Sequence, residues 1–173
     1  HFEPCMLPMR PEIEVYEILT DSIVQKKSSS QPVVIPCRCR ERGKSIPFVK
    51  CFMVKREDVR PDAMVMEFNR MLSIALEAEN LVPIEKITYD VLPLSSNSGI
   101  VSLVAGARTL YSLHNDSTTL QNWVIENNAH YTIDYIRGRF LRSCAFSTVV
   151  SMILSVGDRH LENVMMTRQG LLF

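Results

Sequence analysis

A change of hydrophobic period part-way along the chain is the strongest constraint on its fold. The runs "VVIPCRCR" and "IPFVKCFMVK" are rich in apolar and β-branched residues and flank Glu41-Arg42-Gly43-Lys44-Ser45, which reads as a hairpin. In "RPDAMVMEFNRMLSIALEAEN" the period becomes helical: Val65, Phe68, Leu72, Ala75 and Leu76 recur on one face, with Pro61 and Asp62 at the opening turn. "KITYDVLPL" alternates again, and "SGIVSLVAG" follows across an "SSNSG" turn, predicting a second hairpin. After Gly106 the strand pattern stops. Thr118 and Gln121 fit a capping box ahead of a helix bearing Leu120, Trp123 and Val124. "YIRGRFLRSCAFSTVVSMILSV" is apolar nearly all round, so a buried helix is expected there. The opening stretch, punctuated by Pro4, Pro8 and Pro11 and followed by polar Gln25 to Pro32, reads as loop. The order is strands, one helix, strands, then helices: an α+β chain.

Bulk properties narrow the function. Of 173 residues, 46% are hydrophobic and 22% charged, the profile of a chain able to bury a core. Nineteen Lys and Arg balance nineteen Asp and Glu, so broad electrostatic attraction to nucleic acid or acidic lipid is not suggested, and an anionic ligand would need a local site. The five cysteines, Cys5, Cys37, Cys39, Cys51 and Cys144, include no Cys-x-x-Cys pair and signal neither a disulfide framework nor a zinc site. Reduced thiols in an intracellular protein, nuclear or cytoplasmic, are expected. The longest uncharged apolar run, Cys144 to Val156, is shorter than the ~20 residues of a membrane span. With His1 at its start and Leu171-Leu172-Phe173 at its end, the chain reads as a fragment of a longer one.

Three motifs are discounted. Gly43-Lys44-Ser45 ends like a phosphate-binding P-loop, but Arg38 stands where that motif needs its first glycine, so a turn is expected. Asn115-Asp116-Ser117 matches a glycosylation acceptor and reads as a polar turn. His1, His114 and His130 have no partner at metal-ligand spacing.

"GDRHLEN", Gly157 to Asn163, is different. It joins an acid, a His and an Asn directly behind the most apolar helix. Phosphoryl transfer uses an Asp to orient and accept a hydroxyl proton, an Asn to hold a metal ion, and a cation to steady charge on the transferred group. Asp158, Asn163 and His160 or Arg159 can fill those roles. Upstream, Lys55 closes a strand and Glu57, Asp58 and Asp62 lead into the helix. That order suits a strand Lys on nucleotide phosphates, braced by a helix acid.

With these motifs in order, the chain resembles the phosphatidylinositol 3-kinase superfamily. "GDRHLENVMM" is similar to its catalytic loop, "FMVKREDVRPD" to its strand Lys and acidic helix start, "YDVLPLSSNSGIVSLV" to the strands and hinge, and "FLRSCAFSTVVSMILSVGDRH" to the helix before the loop. The resemblance runs from about Ser28 to Phe173. It implies a bilobal protein-kinase-like fold: an N-terminal flank over 1–27, a β-rich lobe and hinge over 28–104, and part of a helical lobe over 105–173.

The same resemblance implies ATP and Mg2+ as cofactors and assigns roles residue by residue. Lys55 would contact the nucleotide phosphates, braced by Asp62 or Glu57. Tyr89 would wall the inner pocket, Val101 would be the gatekeeper, and Ser102, Leu103 and Val104 would be the hinge. Asp158 would handle the substrate hydroxyl and His160 the transferring phosphate, while Asn163 would bind magnesium and Met165 would pack under adenine. Ser28 to Ser30 resemble the family's phosphate loop. The chain departs from the pattern in having Lys55 one residue closer to the acids, in carrying Leu103 where related protein kinases have Trp, and in ending before the second metal ligand, so that turnover by these residues alone is not expected.

Within the superfamily, "VMEFN" and "VLPLSSNSG" resemble the related Ser/Thr protein kinases, whereas the short segment after the hinge and "RSCAF" resemble the lipid kinases. The first reading is therefore a Ser/Thr protein kinase. The alternatives are a phosphatidylinositol 3- or 4-kinase and a pseudokinase or truncated scaffold. Expected partners are a protein substrate or an inositol lipid, within a much larger polypeptide with helical repeats and without direct nucleic-acid binding by this segment.

Overall fold

In the computed structural model, residues 3–27, 30–79, 85–116 and 119–173 are described. The chain divides into two compact units, one of His1–Glu67 with Tyr89–Ala105, the other of Phe68–Thr88 with Gly106–Phe173.

The first unit is built on one antiparallel sheet. Its strands are β1 (Cys5–Leu7), β2 (Arg10–Ile18), β3 (Val24–Gln25), β4 (Val33–Glu41), β5 (Pro47–Lys55), β6 (Val91–Ser95) and β7 (Ser98–Ser102). They run in the order β1-β2-β4-β5-β7-β6, with β3 paired to β4. Both expected hairpins form. The Glu41–Ser45 turn closes with the Lys44 N–H on the Glu41 carbonyl at 2.9 Å, so Gly43-Lys44-Ser45 is a turn here.

The main departure is β2, where a loop is expected. Pro11 sits at the second residue of the strand, and beyond it Ile13 and Val15 turn inward while Glu12 and Glu14 face out. This period-2 alternation is the strand signal, and it lies behind a proline cluster that reads as loop. The core joins Ile13 and Val15 to Cys37, Cys39 and Phe52, with Leu7, Ile35 and Ile100 packed against it. Arg10 of β2 reaches Asp90 beside β6, at 3.9 Å, although three strands lie between them in the sheet order. The sheet is therefore curled.

Helix α1 (Arg60–Ala78) forms as its period predicts. Its entry is fixed by Asp58, whose carboxylate accepts from the Arg60 main chain at 3.0 Å and from its guanidinium at 2.8 and 2.7 Å. Val59 just ahead of it is fully buried. A side chain at Gly99 would lie 2.0 Å from Val59 Cγ2, so only glycine lets β7 pass there.

The second unit holds β8 (Arg108–Thr109), α2 (Leu110–His114), α3 (Leu120–Asn127), α4 (Ile133–Ile153) and β9 (Met165–Met166). Thr109, Thr119 and Thr132 cap the three helices, each accepting a hydrogen bond from the main-chain N–H three residues on. Thr118, the expected cap, lies outside the described residues. Leu113, Val124, Ile136 and Met166 form the core. Gly170, at φ +77°, turns the chain after β9, and a Cβ there would sit 2.9 Å from Val124 Cγ1.

Helix α4 is not buried all round. Ile136, Ser143 and Val150, seven residues apart, are its buried positions, while Leu141, Val149, Met152 and Ile153 are exposed. Its neighbours α2, α3 and the β8–β9 ribbon are short, and cover one stripe of it. Among the described residues no helix is long and apolar enough to cross a membrane.

Candidate active site

The first unit gathers Lys55, Glu57 and Asp62. Lys55 closes β5 opposite Gly99. Its ammonium lies 2.6 Å from Glu57 and 4.0 Å from Asp62. Both acids considered for bracing it are therefore near, and Glu57 is the closer. The two carboxyls differ in environment. Glu57 is held below its ordinary range chiefly by the hydrogen bond from Lys55, with a smaller contribution from the Ser30 hydroxyl. Asp62 is pushed up, because burial outweighs its attraction to Lys55, and the charge of Glu57 adds to the rise. Ser28 and Ser29 lie outside the described residues.

The hinge candidates follow on β7. Val101 is buried and pairs with Met53 on one side and Val91 on the other. Ser102 is also buried. Its N–H donates to the Asp90 carbonyl at 2.8 Å, and the Leu103 N–H donates to the Cys51 carbonyl at 2.8 Å. Both donors are thus committed, which leaves Val104 as the one hinge candidate whose N–H has no partner among the described residues. Tyr89 is half-buried just before β6.

In the second unit Asp158, His160 and Asn163 converge within one loop. The Asn163 amide donates to both the carbonyl and the Oδ2 of Asp158, each at 3.0 Å. His160 Nε2 lies 3.6 Å from Asp158 Oδ1. Meanwhile His160 Nδ1 accepts the Glu162 main-chain N–H at 3.2 Å, which assigns the proton of the neutral ring to Nε2, the nitrogen facing Asp158. Asp158 has φ +56°, a left-handed conformation that Asp tolerates better than most residues, and its carboxylate is 80% exposed. The loop is fastened from outside itself, since Leu110 and Tyr111 at the start of α2 donate to the carbonyls of Val164 and Leu161, each at 2.9 Å. Met165 follows on β9, half-buried and bonded through its main chain to Phe173 in both directions at 2.9 Å.

Asn163 commits its amide nitrogen to Asp158, while its side-chain oxygen has no partner among the described residues; an oxygen of this kind is a ligand type that magnesium takes. Two features lay outside the sequence reading: Glu162, whose main chain fixes the His160 tautomer, and Asp90, which binds Ser102. The first rests on a main-chain donor, which carries no sequence signal.

Residues 49–173 match the family described as phosphatidylinositol 3- and 4-kinase. The chain belongs to that family. Among its relatives are the phosphatidylinositol 3-kinase pik3 of Schizosaccharomyces pombe, 27% identical over 99% of this chain and 22% of the relative, and the human phosphatidylinositol 3-kinase C2 domain-containing subunit gamma, 29% identical over 98% of this chain and 12% of the relative. The phosphatidylinositol 3-kinase VPS34 of Arabidopsis thaliana is 28% identical over 99% of this chain and 21% of the relative. The chain therefore spans less than a quarter of the length of these curated relatives. Their names denote lipid kinases, so the family match carries the superfamily and leaves the Ser/Thr protein-kinase reading without support from these relatives.

Proposed function

We propose that this chain carries nucleotide-holding and catalytic residues of a phosphatidylinositol kinase, which transfers the γ-phosphoryl group of ATP to an inositol hydroxyl of a membrane lipid. The observation that carries this reading is the family match over residues 49–173, together with relatives named as phosphatidylinositol 3-kinases. It displaces the Ser/Thr protein kinase as first choice. On this reading the two units are the lobes of a kinase-like fold, the first supplying nucleotide contacts and the second the catalytic loop.

The chemistry follows from the residues. Lys55 neutralises nucleotide phosphates, with Glu57 and Asp62 orienting its ammonium. Tyr89 and Val101 wall the inner pocket, Met165 packs against the base, and Val104 offers the hinge N–H. Asp158 accepts the proton of the attacking hydroxyl, and His160, whose Nε2 lies beside Asp158, offers a donor to charge growing on the phosphoryl oxygens. Asn163 would hold magnesium, which when bound neutralises the phosphate oxygens. ADP leaves with the bridging oxygen, so atoms and charge balance. Cys37 and Cys39 are buried, and burial pushes Cys37 up to about 11, which makes an unreactive core thiol; reduced thiols of this kind suit an intracellular setting.

The test is ATP-dependent labelling of phosphatidylinositol vesicles and of a Ser/Thr peptide library by the complete polypeptide carrying these residues. Labelled lipid that Asp158→Asn abolishes is the expected result. Labelled peptide with unlabelled lipid would restore the protein-kinase reading, and no transfer to either would favour the scaffold.

A further inference from the structure

Asp90 is a charged residue in the first unit that the chemistry above does not use. It is 7% exposed, and it draws groups from three other strands. Lys50 of β5 donates to its Oδ2 at 3.3 Å, and Arg10 of β2 lies 3.9 Å from its Oδ1. Ser102, the last residue of β7, meets it three times: the Ser102 N–H donates to the Asp90 carbonyl at 2.8 Å, the Asp90 N–H donates to Ser102 Oγ at 2.8 Å, and Ser102 Oγ donates to Oδ2 at 3.4 Å.

A buried ion pair of this kind adds little net stability, because desolvation of both charges offsets their attraction. What it does fix is geometry. The N–H, the carbonyl and the Oδ2 of Asp90 each bond Ser102, the first of the hinge candidates. The next N–H, that of Leu103, is tied to Cys51. With Ser102 held by Asp90 and Leu103 by Cys51, the backbone leading to Val104, whose N–H has no partner among the described residues, is fixed before any nucleotide is bound.

We propose that Asp90, with Lys50 and Ser102, is a positioning cluster that aims the Val104 N–H at the purine base of the nucleotide. This rests on the reading that the chain binds ATP. The cluster acts on the base end of the ligand, whereas Lys55 acts on the phosphate end. Loss of the cluster therefore weakens ATP and spares a ligand that has phosphates and no base.

The test compares Mg-ATP with magnesium tripolyphosphate by titration calorimetry on the 173-residue chain. Asp90→Asn keeps the shape of the side chain, and Ser102→Ala removes one hydroxyl while leaving the ion pair intact, so the second variant keeps the test open if the first unfolds. Each variant that folds is expected to weaken Mg-ATP about tenfold and to hold tripolyphosphate within about twofold of the unmodified chain. Unchanged ATP affinity in Ser102→Ala, or equal weakening of both ligands, overturns this inference alone. Absence of ATP binding by the unmodified chain overturns both it and the function on which it rests.

Discussion

Asp90 and Asp158 are both aspartates beside cationic or hydrogen-bonding partners, yet they are held in opposite ways. Asp90 is buried in the curled sheet and receives Lys50, Arg10 and Ser102 from strands far apart in sequence. Asp158 is 80% exposed, and its side-chain partners, His160 and Asn163, lie within five residues of it. Burial makes a carboxylate depend on its partners, because an unpaired charge cannot be left in a low-dielectric interior. Exposure frees it to meet a substrate. The first arrangement fixes a backbone and the second offers chemistry, so proximity of an acid and a base does not identify a site until burial is taken into account.

That contrast can be broken most sharply at Asp158. Asp158→Asn should lower phosphotransfer by about a thousandfold while leaving the urea midpoint unchanged, since an exposed acid contributes to the transition state and little to the fold. A comparable fall in stability would place Asp158 with Asp90 as a structural group. Conversely, Asp90→Ala leaves Lys50 partly buried without its carboxylate and should cost about 3 kcal/mol in urea unfolding. A loss under about 1 kcal/mol would mean that water already satisfies this cluster.

Smaller effects sharpen the comparison. The Thr109 side chain accepts the Ser112 N–H at 3.1 Å and begins the helix whose first N–H groups bond Val164 and Leu161 behind Asp158. Thr109→Ala should cost about 1 kcal/mol of stability, and it should also slow turnover, which a cap unconnected to the loop would not do.

The two acids at Lys55 should respond oppositely to pH. Glu57 is depressed in the folded state, so its contribution is present above the ordinary carboxylate range and is lost as pH falls through its folded value. Asp62 is raised, so its charge opposes folding above its folded value, and that penalty disappears on protonation. In thermal scans from pH 7 to pH 3, Glu57→Gln should flatten the acid-side loss. Asp62→Asn should instead raise stability near neutrality, and a destabilised Asp62→Asn would show that the Lys55 attraction outweighs burial.

Much of this was legible in local patterns. The β4–β5 and β6–β7 hairpins and α1 follow from hydrophobic period and turn chemistry. The Asp158, His160 and Asn163 cluster is readable because a seven-residue loop can bring its own side chains together. β2 was obscured because Pro4, Pro8 and Pro11 signal loop to any local reading, while its alternation matters only once β4 is there to pair with it. The extent of burial of α4 was also invisible, since an apolar sequence states what a helix can cover and not what its neighbours reach.

The sequence by itself determined both hairpins, helix α1, the family resemblance and the short-range arrangement of the Asp158–Asn163 loop, because each depends on residues a few positions apart. Only the tertiary structure decided that Glu57 lies closer to Lys55 than Asp62 does, that the Val104 N–H has no partner among the described residues, and that Asp90 binds Ser102. These depend on strand register, sheet curl and burial, through which residues up to 80 positions apart, Arg10 and Asp90, come to share one local field.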